Sequence, residues 1–143
     1  MTATPCGHGP PGSHPIVGDV IGFSLTWDGQ HHGAVWISGD TVLYDGVRHV
    51  AERVDVGTAI VHLGSVHYPI TGPIKFTMTA NDAVELCQLL RPNTAVPVHH
   101  EGWSHFKQGR QPTEHELGRR ARRREQLAVE VGPPIGRPIG IDV

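Results

Sequence analysis

Apolar residues along the chain follow two periods. From Val20 to Trp27 apolar and small or polar residues alternate, which predicts a strand. Asp28-Gly29 turns it, and Gly33 to Ser38 returns, so the two predict a hairpin with a loop of several residues. Val47, Val50, Ala51 and Val54 recur at i, i+3, i+4 and i+7, the spacing of an amphipathic helix. Thr58 to Leu63 is a continuous apolar run, as in a strand buried on both faces or nearly so. Ala83, Leu86, Cys87 and Leu90 make a second helical stripe, opened by Thr79 and Asp82 at capping-box spacing and closed by Pro92. Thr94 to Val98 is a further strand that stops at His99-His100. Strands alternating with helices predict an α/β fold.

The intervening stretches carry breakers instead of a period. Residues 1–18 are rich in Pro and Gly and predict loop, as do residues 64–76. From about Trp103 the chain turns polar, and residues 111–131 predict an Arg-rich helix. Arg119, Arg120, Arg122, Arg123 and Arg124 lie beside Glu114, Glu116 and Glu125, with Glu116 and Arg120 at i, i+4. That mixture describes a solvated helix face and not a nucleic-acid patch. Residues 132–143 repeat Pro and Gly and predict an extended tail. The expected organisation is therefore one domain over residues 1–110, the polar helix, and the tail.

Composition and charge alter this picture in four places. A net charge of -2 over 143 residues offers no global attraction to nucleic acid or an anionic membrane. Two cysteines, Cys6 and Cys87, far apart in sequence, suggest neither a disulfide framework nor a thiolate metal site. No secretion signal and no apolar run of roughly 18 residues is present, which predicts a cytoplasmic chain. Eleven histidines invite a search for imidazole ligands; His31-His32, beside Asp28-Gly29, reads as a hairpin tip.

The candidate chemistry gathers where strands stop. Ala34 to Ile37 ends in Ser38-Gly39-Asp40-Thr41, where Gly39 permits a turn and leaves Asp40 at the mouth of the sheet. His99 follows the last strand, and His8 sits in the N-terminal loop. One carboxylate and two imidazoles converging there would suit Zn²⁺ or Mn²⁺.

The ordered set Thr-Ala-Thr-Pro-x-x-His-Gly-Pro, Gly-Phe-x-Leu, Ile-Ser-Gly-Asp-Thr, Leu-Gly, Thr-Met-Thr and Val-Pro-Val-His-x-x-x-Trp-x-His-Phe resembles the metallo-β-lactamase superfamily, in its L-ascorbate-6-phosphate lactonase-like branch. The resemblance runs from about Thr2 to Gly109. It implies the C-terminal half of an αββα sandwich: a mixed, mostly antiparallel sheet with helices on one face. It places His8 as a ligand of a first metal, Asp40 as the carboxylate bridging two metals, and His99 as a ligand of the second. His100 stands where a tyrosine is common. The family's His-x-His-x-Asp-His half does not occur in these residues, so the resemblance implies a truncated hydrolase of an ester, lactone or phosphate-bearing small molecule, inactive alone. A non-catalytic remnant or interaction module of the same fold is the alternative. Ile21, Phe23 and Leu25 share one strand face, and Val35 and Ile37 share one face of the next. The expectation is that this side of the sheet lacks a helical cover and seeks a separate N-terminal half or a second copy.

Overall fold

In the computed structural model the described residues are 1–102, 106–109, 111, 115, 118 and 128–129. They form one six-stranded sheet whose strands lie in chain order: β1 (Thr2–Pro5), β2 (Ile21–Leu25), β3 (Ala34–Ile37), β4 (Val56–His62), β5 (Thr94–Val98) and β6 (Ala128–Val129). β1–β2 and β2–β3 pair antiparallel, whereas β3–β4, β4–β5 and β5–β6 pair parallel. The sheet is mixed as expected but not mostly antiparallel: only the two pairings among its first three strands are antiparallel, and β3, β4 and β5 run parallel because helical crossovers rather than tight turns join them. The helices are α1 (His14–Val17), α2 (Asp45–Arg48), α3 (Val50–Arg53) and α4 (Ala80–Leu90), with a 3₁₀ turn at Pro69–Thr71.

The predicted hairpin is β2–β3, with Phe23 opposite Ile37 and Leu25 opposite Val35. The stretch read as loop over residues 1–18 is corrected by the structure, because Thr2–Pro5 is a strand. β1 lies at the border of the sheet with a single neighbour, where a proline costs no ladder hydrogen bond. Its Thr4 is buried and accepts a hydrogen bond from the Trp36 indole at 3.0 Å.

The helix expected over Val47 to Val54 is two four-residue helices meeting at His49. Gly46 and the β-branched valines weaken a continuous ladder, yet the apolar stripe survives: Val47 and Val50 are fully or nearly fully buried. α4 begins as the sequence indicates. The Thr79 hydroxyl accepts from the Asp82 N–H at 3.1 Å, and the Asp82 carboxylate accepts from the Thr79 N–H at 2.8 Å. Residues 128–129 form β6, so the helix expected over 111–131 does not extend to its predicted end. The rest of that segment falls mostly outside the described residues, as does the tail of residues 132–143.

One buried cluster joins Trp36, Ala59 and Val61 of the sheet to Val47 and Val50 of α2 and α3 and to Ala83, Val84, Leu86 and Leu90 of α4. On the other face the pairing register aligns Phe23, Ile37, Ile60 and Val96 in a row across four strands. Ile21 is half exposed (52 %), and Phe23, Leu25, Ile37 and Ile60 are only partly buried, while Val35, Thr58 and Val96 are buried. No helix of the described residues is long and apolar enough to cross a membrane.

Candidate metal centre at the strand ends

Strand direction builds the site. β1 and β3 are both antiparallel to β2 and so run the same way, and β4 and β5 run parallel to β3. The C-terminal ends of β1, β3, β4 and β5 therefore lie at one end of the sheet, which is where ligands collect in sheets of this kind. His8 follows β1, Asp40 follows β3, His62 ends β4, and His99 follows β5.

Asp40 reaches its place through Gly39, whose φ of 64° an ordinary side chain rarely adopts. A Cβ on Gly39 would also lie 2.7 Å from the Ile21 carbonyl and 3.1 Å from the Cys6 sulfur. Just before it, Ser38 is fully buried and organises the neighbouring strand end. Its hydroxyl accepts from the His62 N–H at 2.9 Å, donates to the Gly39 carbonyl at 2.8 Å, and lies 3.2 Å from His62 Nδ1.

His99 is held in the left-handed region (φ 58°). Such a conformation in a non-glycine residue persists only where its surroundings enforce it, and such residues cluster at functional sites. Its ring packs edge-on against Phe106 at 4.7 Å and lies 5.8 Å from the His62 ring. Phe106 belongs to a segment tied down next door, where Lys107 and Gln108 N–H groups donate to the Gly64 carbonyl and the Gln108 side chain accepts from the Ala80 N–H. His99 Nδ1 stands 3.3 Å from Asp40 Oδ1. Among the described residues that buried nitrogen makes no hydrogen bond, so the pair sits at ion-pair distance without the geometry for sharing a proton. His100 is buried beside it.

Of the three predicted ligands the structure thus brings Asp40 and His99 together. His8 lies at the same end of the sheet but packs edge-on against Phe76 at 5.7 Å. Its loop turns away at Gly9, where φ is 97° and Phe76 is close. Among the described residues no group of three or more His, Cys, Asp or Glu side chains could hold a metal ion. Cys6 donates to the Asp40 carbonyl at 3.4 Å, and burial pushes its thiol up to about 11, so it stays protonated and is a poor metal donor.

Sequence reasoning passed over His62, the one polar side chain in an otherwise apolar strand end. Its position at the end of a strand parallel to β3 and β5 is the signal that finds it. Burial depresses its pKa below the ordinary 6.5; Asp40 opposes this and His99 adds to it. Between the depressed folded value and 6.5 the unfolded chain binds more protons, so stability falls as pH drops through that window. The chelator-treated chain is expected to lose stability below pH 6.5 more steeply than its His62→Gln variant, measured by urea unfolding at several pH values. Equal slopes would show that His62 does not titrate differently on folding.

No protein-family profile matches the chain. Among curated proteins it is similar to a UPF0173 metal-dependent hydrolase of Pyrobaculum islandicum, 36% identical over 76 residues, covering 53% of this chain and 30% of the relative. It is also similar to one of Pelotomaculum thermopropionicum, 28% identical over 110 residues, covering 73% and 43% respectively. The chain thus spans less than half the length of these relatives. Among solved structures, an isothiocyanate hydrolase from Delia radicum gut bacteria superposes with a TM-score of 0.77 at 18% identity, over 99% of this chain and 54% of that one. A possible metal-dependent hydrolase from Veillonella parvula gives 0.76 at 19% identity, over 90% and 50%. The chain is similar to UPF0173 metal-dependent hydrolases over less than half of their length, and its mixed α/β fold is that of the two solved structures.

Proposed function

We propose that the chain carries the C-terminal half of a metallo-β-lactamase-type hydrolase site, in which Asp40 and His99 hold a Zn or Mn ion and His8 completes the contribution from these residues. The substrate class is an ester, lactone or phosphate-bearing small molecule. The observation that carries this is the Asp40–His99 pair, an unshared imidazole nitrogen 3.3 Å from a carboxylate oxygen at the end of the sheet where parallel strands stop. Carboxylate oxygen and imidazole nitrogen are the donors a borderline divalent ion takes, so the residues present fit part of a coordination sphere. A bound ion supplies a water with its pKa lowered toward about 7. The chain's own residues fix the donors: Ser38 anchors the β4 end, Gly39 turns Asp40 outward, and Phe106 braces the His99 ring.

A second reading, a fold that serves as a non-catalytic interaction module, is favoured by the lack of any three-donor group among the described residues. In the hydrolase reading the remaining donors come from a separate N-terminal half bearing His-x-His-x-Asp-His, or from a second copy, docked on the sheet face carrying Phe23, Ile37 and Ile60.

Metal titration tests the proposal. The chain is expected to bind Zn²⁺ weakly and to keep less than one equivalent after dialysis against a mild chelator. Asp40→Asn and His99→Gln should each weaken calorimetric Zn²⁺ binding at least about tenfold. If both variants bind as the parent does, these residues are not the donors.

A further inference from the structure

A cavity of about 340 Å³ opens beside His8, between two walls that both lead to the strand-end site. One wall is the loop after β1 and includes Pro11, Val17 and Val20; the other is the stretch after Asp40, with Val42 and Tyr44. The walls are fastened to each other. The Gly7 N–H donates to the Thr41 hydroxyl, the Val42 N–H donates to the Gly7 carbonyl, both at 2.9 Å, and Cys6 donates to the Asp40 carbonyl. Ser13 closes the loop on itself by donating to the His8 and Pro10 carbonyls. The cavity is therefore preformed and falls within the size range of small-molecule sites.

Its chemistry is selective. Among the described residues most of its side-chain lining is apolar (Pro10, Pro11, Val17, Val20, Val42 and the Tyr44 ring), neither lysine nor arginine borders it, and of the chargeable groups His8, His14 and Asp19 the last two pair with each other. An anionic group entering it would lose water against a mostly apolar wall, which costs far more than burying an apolar one. We propose that this cavity is a substrate subsite that receives an uncharged apolar substituent, aliphatic or aromatic, of the molecule cleaved at the Asp40–His99 end. Resting on the hydrolase reading above, this narrows its substrate range toward neutral esters and lactones and away from phosphate-bearing compounds.

The test uses the full 143-residue chain in chelator-containing buffer, so that it is independent of metal binding. Benzyl alcohol and benzylphosphonate are titrated separately while the resonances of Val17, Val42 and Tyr44 are followed by NMR. Benzyl alcohol is expected to shift them saturably, and benzylphosphonate, with the same ring and a fixed negative charge, to bind at least about tenfold more weakly. Val42→Trp, which fills the cavity without removing the Val42 backbone hydrogen bond, should weaken benzyl alcohol at least about tenfold. Val17→Trp, filling from the opposite wall, should do the same and covers the case in which the first variant misfolds. No saturable shift, equal binding of the phosphonate, or parent-like binding by the folded tryptophan variants would overturn the subsite. Failure of Zn²⁺ binding with benzyl alcohol binding intact would overturn the hydrolase reading and leave the cavity's selectivity for uncharged groups standing.

Discussion

Gly57→Ala is expected to lower the unfolding free energy of the chain by about 3 kcal/mol or more, a large share of what holds it native. Gly57 lies in β4 where the register with β3 shifts between Ala34 and Val35. A Cβ built there would lie 1.6 Å from the His32 carbonyl oxygen and 2.5 Å from its carbon. Those are backbone atoms, so no side-chain rotation relieves the clash. The strand cannot slide away either, since the Asn93 N–H donates to the Gly57 carbonyl at 2.8 Å and the Ala34 N–H to the Asp55 carbonyl at 2.8 Å. Overpacking in a tight site costs about 1–3 kcal/mol, and a contact this short against fixed backbone belongs at or above the top of that range. A small domain has only about 5–15 kcal/mol in total. Urea unfolding followed by circular dichroism provides the measurement, with Gly109→Ala as control because no described residue lies within 4 Å of a Cβ there. A Gly57→Ala midpoint equal to the control's would mean that the β3–β4 junction is far more plastic than its hydrogen bonds indicate.

The second large effect concerns turnover. By itself the chain is expected to hydrolyse a neutral ester such as phenyl acetate no faster than buffer. Two adjacent donors, Asp40 and His99, leave a metal ion under-coordinated, because catalytic zinc sites use three protein ligands and an open position for water. Mixing the chain with a polypeptide bearing a His-x-His-x-Asp-His half, in the presence of Zn²⁺ or Mn²⁺, should produce metal-dependent hydrolysis. Asp40→Ala in the mixture should remove it, by more than the roughly 10–100-fold that loss of an outer partner of a metal ligand costs. Steady-state rates with and without chelator read both arms. Hydrolysis by the lone chain that disappears in Asp40→Ala would contradict the half-site reading, and a mixture indifferent to Asp40 would contradict its place in the chemistry.

What the sequence made legible was what local pattern controls. The β2–β3 hairpin, the Thr79–Asp82 box and the strand stopping before His99 each depend on residues a few positions apart. β1 was hidden because its partner is chosen by tertiary contact: four residues among prolines and glycines become a strand through pairing with β2 and the buried Thr4–Trp36 bond. His62 was hidden for a related reason. An imidazole at the end of an apolar strand looks like a satisfied interior residue until the parallel direction of β3, β4 and β5 puts it between Asp40 and His99. Periodicity gives no strand direction, so it could name residues at strand ends without saying which ends coincide. His8 shows the same limit from the other side, since sharing an end of the sheet with Asp40 did not bring its ring into contact with the pair.

The parallel run from β3 to β5 also bears on the order in which this molecule assembles. Parallel neighbours cannot be joined by a tight turn, and both crossovers here traverse helices before the chain returns to the sheet. Closing such long loops precedes the contacts that reward it, which makes these pairings slow relative to the β2–β3 hairpin. Asp40 and His99 meet only when β4 has been laid down between their strands, so no early intermediate offers both donors to an ion at once. Metal added during refolding should therefore leave the rate of the main folding phase unchanged and act only on the finished sheet, and a newly made chain would be protected from capturing ions in the wrong place by the lateness of its own parallel pairings.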